Sequence, residues 1–336
     1  MSRIRLVDVA EHAGVSRATA SLVVRDSPLV ADATRERVRE SMQALGYVYD
    51  RSAAALRNSR TGVVGLIAPA LSHPYLTQFV TGAQDVLEAE GMLVLAGVTH
   101  DDPGQQLRLL TALAERKIDG VVVVPANGSA PEDLGDSPMP LVQLVRRVNG
   151  TATDYVAADN ASGSYQAATH LLEHGAGHID FVGGLPHFSS YEPRLAGVIR
   201  ALAEAGHRPP VVHPCEPARQ AAVDAAAAAI ADGADALVCY SDEVAFGVLE
   251  AAQLAGKRVP DDLLVAAFDD VAEARYSTPS LTSVASSGEL AGREAARLLL
   301  RRLAEPYAEP ERILVPSTLI PRASCGCAAI TSQSRN

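Results

Sequence analysis

Short apolar runs alternate with helix-forming stretches from Gly62 almost to the end of the chain. The runs are GVVGLIAP, GMLVLAGV, DGVVVVP, HIDFVGG, ADALVCYS and LLVAAFD. Each run is apolar on both faces, which is typical of strands that helices cover on both sides of a parallel sheet. The pattern therefore predicts an α/β fold built on doubly wound parallel sheets.

The size and composition are those of a globular protein. The 336 residues suffice for two or three domains, and 48% hydrophobic against 21% charged residues is an ordinary balance. No apolar stretch reaches the roughly 18 residues that a membrane span needs. Asp8 and Glu11 interrupt any secretion signal at the N-terminus. We expect a cytoplasmic protein with no membrane partner.

Charge is distributed unevenly along the chain. Residues 1–60 hold ten arginines and seven acidic residues, a balance of +3, although the formal charge of the whole chain is −11. The remaining residues must then carry −14. We call residues 1–60 the head and the remaining residues the body. A basic head attracts the phosphate backbone of DNA, and an acidic body limits non-specific contact with it.

The N-terminal residues have the pattern of two short helices joined by a tight turn. Residues 6–13 place apolar side chains at helical spacing, and Gly14 can end that helix in a left-handed conformation. Ser16 is a good N-cap for a second helix to about Arg25, because its hydroxyl can accept from an amide two or three residues on. Such a pair indicates a DNA-binding helix-turn-helix.

A third, amphipathic helix is predicted over residues 34–45, with Gly46 closing it. Its apolar positions would face the other two helices, and Arg35 and Arg39 would face solvent. Three helices of this length can bury a small core between them.

The order and spacing of three segments match a known family. The segments DVAEHAGVSRATAS, VADATRERVRESMQALGY and SAAALRNSRTGVVGLI resemble the helix-turn-helix, third helix, hinge and first strand of the lactose-repressor/galactose-repressor (LacI/GalR) family of bacterial transcription regulators. The resemblance implies an all-α helix-turn-helix domain over 1–49. A hinge helix over 50–61 would join it to an effector-binding and dimerisation body over 62–332.

The resemblance also implies that the body has the two-lobed periplasmic-binding-protein type I fold. The N-terminal lobe would comprise about 62–160 plus 290–318, and the C-terminal lobe about 161–289 plus 319–332. The chain would cross between the lobes three times, and the effector would bind in the cleft between them.

DNA contacts follow from the same resemblance. In the family, the positions matching Arg17, Ala18 and Leu22 read bases. The positions that contact the DNA backbone or support the helix match Ser16, Thr19, Ser21, Arg25 and Tyr47. A guanidinium at the start of a major-groove helix can bond guanine through two hydrogen bonds, although a phosphate contact is the alternative for Arg17. Leu22 replaces a residue that is often polar, which weakens hydrogen-bonded readout there.

The hinge is a second DNA-binding element. Its sequence, RSAAALRNS over residues 51–59, is too short for a helix that is stable alone. The resemblance implies that it folds on operator DNA beside the hinge of a second subunit and inserts Leu56 into the minor groove. An apolar wedge of this kind unstacks and kinks DNA. Asp50 stands where an Asn is usual and would repel phosphate.

Ligands of open parallel sheets bind beyond the carboxyl ends of the strands. The side chains that follow the apolar runs are Ser72, His73, Pro74, Tyr75, His100, Asp101, Arg146, Arg147, Phe188, Arg194, Ser241, Asp242, Asp269 and Asp270. From these, the predicted effector site comprises His73, Tyr75, Arg146, Phe188, Arg194, Asp242 and Asp269. Arg194 and Asp269 match the family's most dependable effector contacts, and helix capping is the alternative for both and for Asp242.

The chemistry of the effector is only partly readable. Tyr75 is suited either to stacking on a sugar ring or to the core. Val145 stands where sugar-binding relatives often carry an Asp, and Ser241 replaces a frequent Asn. The residues therefore favour a small polar molecule, which is most often a sugar in this family.

The four cysteines are too few and too scattered for a disulfide framework. The Cys-Gly-Cys motif at 325–327 lacks the second ligand pair that a zinc site needs. We interpret the cysteines as incidental thiols and expect neither a metal nor a cofactor. The tail after Cys325 has no apolar heptads for a helical tetramer, so we expect a homodimer.

Three classes of protein are compatible with this body: a ligand-gated DNA-binding regulator, a solute-binding protein of transport, and an enzyme. The basic head favours the regulator, and the lack of an export signal disfavours transport. No phosphate loop, Gly-x-Gly-x-x-Gly after a strand or Gly-x-Ser-x-Gly motif supports an enzyme. We expect a repressor that binds a pseudo-palindromic operator as a dimer and responds to a small-molecule effector.

Overall fold

The structure is a computed structural model that describes residues 4–24, 26–48, 60–70, 74–135 and 139–327. The chain forms two units, Met1–Thr61 and Gly62–Asn336. No helix among the described residues is long and apolar enough to cross a membrane.

The first unit contains the three predicted helices. They are α1 (Leu6–His12), α2 (Arg17–Val24) and α3 (Asp32–Leu45). Val9, Ala20 and Val38 are fully buried where the helices meet, which makes the core of the head. Gly14 and Gly46 adopt φ of +66° and +62°, the left-handed conformation expected where a helix must end. The predicted helix-turn-helix is confirmed.

Two details of the head differ from the sequence prediction. Helix α3 begins two residues earlier than predicted, at Asp32. The carboxylate of Asp32 lies in the first turn and stabilises the helix, because it interacts favourably with the positive end of the helix dipole. Arg35 does not face solvent: its side chain is 16% exposed. The guanidinium donates to Asp26 and to the carbonyl oxygens of Ser27 and Val30. It therefore supplies hydrogen-bond donors to two backbone acceptors of the loop that joins α2 to α3.

The second unit contains two six-stranded sheets, which define two lobes. The first lobe has the strand order β11-β5-β4-β3-β1-β2, and the second lobe has β12-β10-β9-β8-β6-β7. The strands are β1 (Val63–Ala68), β2 (Leu93–Val98), β3 (Gly120–Val123), β4 (Leu141–Leu144), β5 (Asp154–Ala158), β6 (Ile179–Val182), β7 (Val212–His213), β8 (Ala236–Cys239), β9 (Leu264–Phe268), β10 (Thr282–Ser286), β11 (Arg312–Val315) and β12 (Ser317–Ile320). All neighbours are parallel except the antiparallel pair β10 and β12.

Helices flank both sheets, so the predicted α/β fold with doubly wound sheets is confirmed. They are α4 (Pro74–Ala89), α5 (Pro103–Glu115), α6 (Asn160–Glu173), α7 (Tyr191–Glu204), α8 (Arg219–Ala231), α9 (Asp242–Leu254) and α10 (Gly288–Ala304). Each lobe has its own apolar core, with Phe79 and Leu299 fully buried in the first and Phe181 and Phe268 in the second. The chain passes between the sheets after β5, after β10 and after β11.

Candidate functional sites

The exposed start of α2 is the candidate DNA-reading surface. The hydroxyl of Ser16 accepts from the backbone amide of Thr19 at 3.0 Å, so the Ser16 side chain caps the helix, and it lies 2.9 Å from the Thr19 hydroxyl. Arg17 and Ala18 lie in the first turn and are exposed. Ala20, one turn further on, is buried. One face of α2 therefore packs against the core of the head, and the side chains of Arg17 and Ala18 in its first turn are exposed to solvent.

The other predicted DNA-contacting residues lie in different surroundings. Tyr47 is partly buried and packs against the core of the head, which is compatible with the predicted supporting role. Leu22, which was predicted to read a base, is also partly buried against that core. Ser21 is also partly buried. Arg25 and Leu56 lie outside the described residues, so the structure gives no geometry for the hinge wedge.

A cavity of about 230 Å³ lies between the two lobes, where the carboxyl ends of both sheets meet. Its walls from the first lobe are Leu76, Val124, Asn127, Val145 and Arg146. Its walls from the second lobe are Phe188, Ser189, Ser190, Arg194, Pro217, Tyr240, Ser241, Glu243 and Asp269. A molecule in this cavity would therefore touch both lobes.

Arg194 is the most heavily bonded side chain of the cavity. Its residue is 7% exposed. Its Nε donates to Asn160 Oδ1 at 2.8 Å, one Nη donates to the Tyr240 carbonyl oxygen, and the other donates to Asp269 Oδ1 at 3.1 Å. The guanidinium also lies 3.7 Å above the centroid of the Phe268 ring. These contacts hold the planar fork in one orientation.

Asp269 carries the matching negative charge, with a side chain that is 15% exposed. It follows β9 directly and adopts φ of +111°, a left-handed conformation that costs a non-glycine residue free energy. Its amide donates to the Val284 carbonyl oxygen at 2.9 Å, which anchors this strained turn to β10. The carboxylate is thus held at the cavity beside Arg194.

A second ion pair lies on the first-lobe side. Arg146 donates to Asp101 Oδ1 at 2.5 Å and to the Pro125 carbonyl oxygen at 3.1 Å. Asp101 also accepts from the backbone amide of Asn127 at 3.0 Å and from its side-chain Nδ2 at 2.7 Å. Asp101 therefore orients two residues of the cavity wall, Arg146 and Asn127.

Asp242 does not line the cavity, although it was predicted in the effector site. It is fully buried. Its carboxylate accepts from the Val271 amide at 2.8 Å and from the Ser283 hydroxyl at 2.5 Å. The side chain therefore braces the loop after β9. Burial, together with the nearby charge of Asp269, raises the pKa of Asp242 to about 8.

The raised pKa of Asp242 predicts that the free energy of unfolding falls as pH rises. The folded chain keeps this proton up to about pH 8, whereas the unfolded chain releases it near pH 4. The stabilisation is fully present below about pH 4 and decreases by about 1.4 kcal/mol per pH unit until the pH has passed through about 8. Asp242→Asn keeps both hydrogen bonds, since its oxygen can accept from Val271 and its amide can donate to Ser283.

Urea unfolding at about pH 6 and about pH 8 tests this prediction. The wild type should lose stability between the two conditions by about 2 kcal/mol more than Asp242→Asn loses. The exposed Asp224→Asn is the matched control and should follow the wild type. Equal pH dependence in all three proteins would contradict it.

The structure brings together four of the predicted effector residues: Arg146, Phe188, Arg194 and Asp269. His73 and the side chain of Tyr75 lie outside what the structure describes. Asn127 and Tyr240 are among the cavity residues that sequence reasoning missed. Tyr240 follows β8 directly and Asn127 lies in the loop after β3, so the strand-end rule that selected the other candidates applies to them as well.

A larger cavity of about 430 Å³ adjoins the first at Phe188 and Ser189. Its other walls include Arg147, Tyr155, Glu192 and Arg312. It contains neither Arg194 nor Asp269. Its size does not make it the better effector site, because the smaller cavity has the more fully oriented polar groups.

A helix-turn-helix head followed by a two-lobed body with an interlobe cavity is the architecture of a DNA-binding transcriptional regulator. Residues 5–50 match the family of bacterial regulatory proteins of the lacI type, and residues 168–325 match the periplasmic binding protein-like domain.

Characterised proteins resemble the chain over nearly its whole length. It is 32% identical over 326 residues to the HTH-type transcriptional repressor PurR of Erwinia tasmaniensis, covering 94% of this chain and 95% of that protein. It is 32% identical over 334 residues to the HTH-type transcriptional regulator CelR of Thermobifida fusca, and the match covers 94% of this chain and 96% of that protein. The chain therefore belongs to the LacI family of bacterial transcriptional regulators.

Solved structures agree in fold. A complex of the transcriptional regulator CelR with cellobiose has a TM-score of 0.73 and 30% identity, over 96% of this chain and 100% of that chain. The Lac repressor dimer bound to operator and the anti-inducer ONPF has a TM-score of 0.83 and 22% identity, and the match covers 96% of this chain and 99% of that chain. The second likeness is one of fold.

Proposed function

We propose that this regulator is a repressor that binds its operator as a homodimer and is controlled by a neutral, hydroxyl-rich effector, of the sugar class, in the cavity at Arg194. The observation that carries the proposal is the paired Arg194 and Asp269 at a cavity lined by both lobes. The protein would act in the cytoplasm, where it meets DNA.

The charges around the cavity support a neutral effector. Each cation of the wall has an acidic partner: Arg194 pairs with Asp269 and Arg146 pairs with Asp101. A paired site offers donors and acceptors to hydroxyl groups without an excess charge for an anion. Phe188 adds an apolar surface on which a sugar ring can rest. The cellobiose that CelR binds is such a molecule.

Control of DNA binding requires the effector to prefer one arrangement of the lobes. A ligand that touches both walls of the cavity binds one arrangement better than the other, and only that difference shifts the equilibrium. The cavity meets this requirement because its lining comes from both lobes.

Two features support a homodimer. The edge strand β2 exposes Leu93 and Leu95 by 56% and 42%, an apolar edge that a second copy would cover. A single head presents one short reading helix, so two heads reading two half-sites fit a pseudo-palindromic operator.

Thermal unfolding of the full chain in the presence of sugars tests the effector site. The panel begins with cellobiose and ribose, and a ligand at about 100 times its Kd should stabilise the fold by about 2.7 kcal/mol. Asp269→Asn should abolish that shift, and Arg312→Ala, which alters the adjoining cavity, should retain it. Stabilisation that survives Asp269→Asn and fails in Arg312→Ala would contradict the proposed site.

Arg17 is expected to read a base. Arg17→Ala should weaken operator binding by about 1–3 kcal/mol and relax the preference at one base step, because an exposed guanidinium at the first turn of α2 can bond guanine twice. Selection of binding sites from random duplex DNA measures both effects. Equal weakening on every sequence would identify Arg17 as a phosphate contact instead.

A further inference from the structure

Two histidines and two cysteines meet at the C-terminal end of helix α6, and none of them lines either cavity between the lobes. His170 lies in the last turn of α6, and His174 is one turn further on, at the residue that closes the helix. Cys325 and Cys327 belong to the segment that follows β12. The cluster therefore joins parts of the chain that are about half its length apart.

The four candidate ligand atoms lie within 4.8 Å of one another. His170 Nε2 is 3.1 Å from Cys325 Sγ and 3.5 Å from Cys327 Sγ, and His174 Nε2 is 3.2 Å from Cys327 Sγ. In a tetrahedral zinc site, with Zn–N near 2.0 Å and Zn–S near 2.3 Å, ligand atoms are about 3.3–3.8 Å apart. The observed spacing needs only small side-chain adjustments to reach that geometry.

The backbone of both segments presents these side chains to each other. Residues four apart on a helix lie on the same face, which places the rings of His170 and His174 with centroids 4.2 Å apart. A short 3-10 turn, Ala323–Cys325, ends at Gly326, whose φ of +88° disfavours a side chain at that position. This reversal turns both sulfur atoms toward α6.

A hydrogen bond orients the His174 ring so that its Nε2 can coordinate a metal ion. Its Nδ1–H donates to the His170 carbonyl oxygen at 2.9 Å, which leaves the lone pair of Nε2 directed at the cluster. Metal-binding histidines typically have such an outer partner.

We propose that His170, His174, Cys325 and Cys327 form a structural zinc site. Two thiolates and two imidazoles are a ligand set that Zn²⁺ binds with closed tetrahedral geometry. The ion would tie the C-terminal segment to α6 and stabilise the second lobe. The sequence prediction of incidental thiols rested on a missing ligand pair, and the two histidines of α6 supply such a pair.

Cobalt titration of the reduced, untagged full chain tests the site, because tetrahedral Co²⁺ with thiolate ligands has intense visible bands. The wild type should develop those bands and release Co²⁺ when Zn²⁺ is added. Cys327→Ser and His174→Gln should each weaken Co²⁺ binding by more than the roughly 10- to 100-fold that loss of an outer hydrogen-bond partner costs. Both residues are partly or largely exposed, so these variants should fold.

The partly buried Cys215 provides the matched thiol control, and Cys215→Ser should bind Co²⁺ like the wild type. Zn²⁺ should raise the Tm of the wild type and of Cys215→Ser and leave that of Cys327→Ser unchanged. Bands that persist in both ligand variants would show adventitious binding elsewhere and overturn the proposal. A reduced wild type that binds no Co²⁺ would also overturn it.

Discussion

Arg194→Met should abolish the response to effector and lower the free energy of unfolding by about 3 kcal/mol or more. The substitution keeps the apolar length of the side chain but removes all three donated hydrogen bonds, including the ion pair with the mostly buried carboxylate of Asp269. Breaking a buried ion pair by removing one partner typically costs about 3–5 kcal/mol. Chemical denaturation measures the loss.

Arg194→Lys separates charge from geometry. Lysine restores the positive charge opposite Asp269 but lacks the planar fork that reaches Asn160 and the Tyr240 carbonyl oxygen at the same time. We expect an intermediate stability. In the double variant Arg194→Met/Asp269→Asn, the two losses should be less than additive by at least about 1 kcal/mol. Strict additivity would show that the pair does not interact.

Gly292→Ala should lower the free energy of unfolding by about 3 kcal/mol, since it separates two helices of the first lobe. A Cβ atom at Gly292 of α10 would lie 2.3 Å from the backbone oxygen of Phe79 on α4. On the facing helix, a Cβ at Gly82 would lie 2.0 Å from the backbone oxygen of Glu289. Backbone cannot yield as a flexible side chain can, so the packing of α4 on α10 would be lost.

Gly104→Ala is the control for helix propensity. Gly104 lies in the first turn of α5, where a Cβ would meet only side-chain ends, those of Asp102 and Arg108, at 3.3 Å or more. Alanine is favoured over glycine in a helix by about 1 kcal/mol, so this variant should be as stable as the wild type or more stable. A Gly292→Ala protein of equal stability would contradict the close packing of α4 and α10.

The head was predictable from sequence because its signals are local. Gly14, Ser16 and Gly46 lie within a few residues of the helix ends that they define, and all three act as expected. Arg35 was misjudged because its partners are loop carbonyl oxygens five to eight residues away, which helical periodicity does not reveal.

The body was predictable in class but not in every strand. Strand β5 begins with Asp154, which is fully buried and paired with Arg301 and Arg302 of α10. A buried charge with partners about 150 residues away has no local signature. Apolar runs such as those of β1 and β3 were recognisable because both of their faces are buried.

The candidate sites show the same limit. The rule that ligands bind at strand ends selected Arg194 and Asp269, but it also selected Asp242, whose side chain turns inward to Val271. The rule gives the position of a residue and not the direction of its side chain. The His-x3-His spacing of residues 170–174 was readable in the sequence, but its partners lie 155 residues further on.

Operator affinity with and without effector tests the central claim, that a ligand held at Arg194 and Asp269 controls DNA binding. The operator is a duplex selected from random DNA with the full chain, the effector is the sugar that raises the Tm most, and fluorescence anisotropy reports the Kd. We expect the sugar to change the wild-type Kd by about 5- to 150-fold and to leave that of Asp269→Asn unchanged. A sugar that stabilises the wild type without changing its operator affinity, or that changes it equally in Asp269→Asn, would contradict the claim.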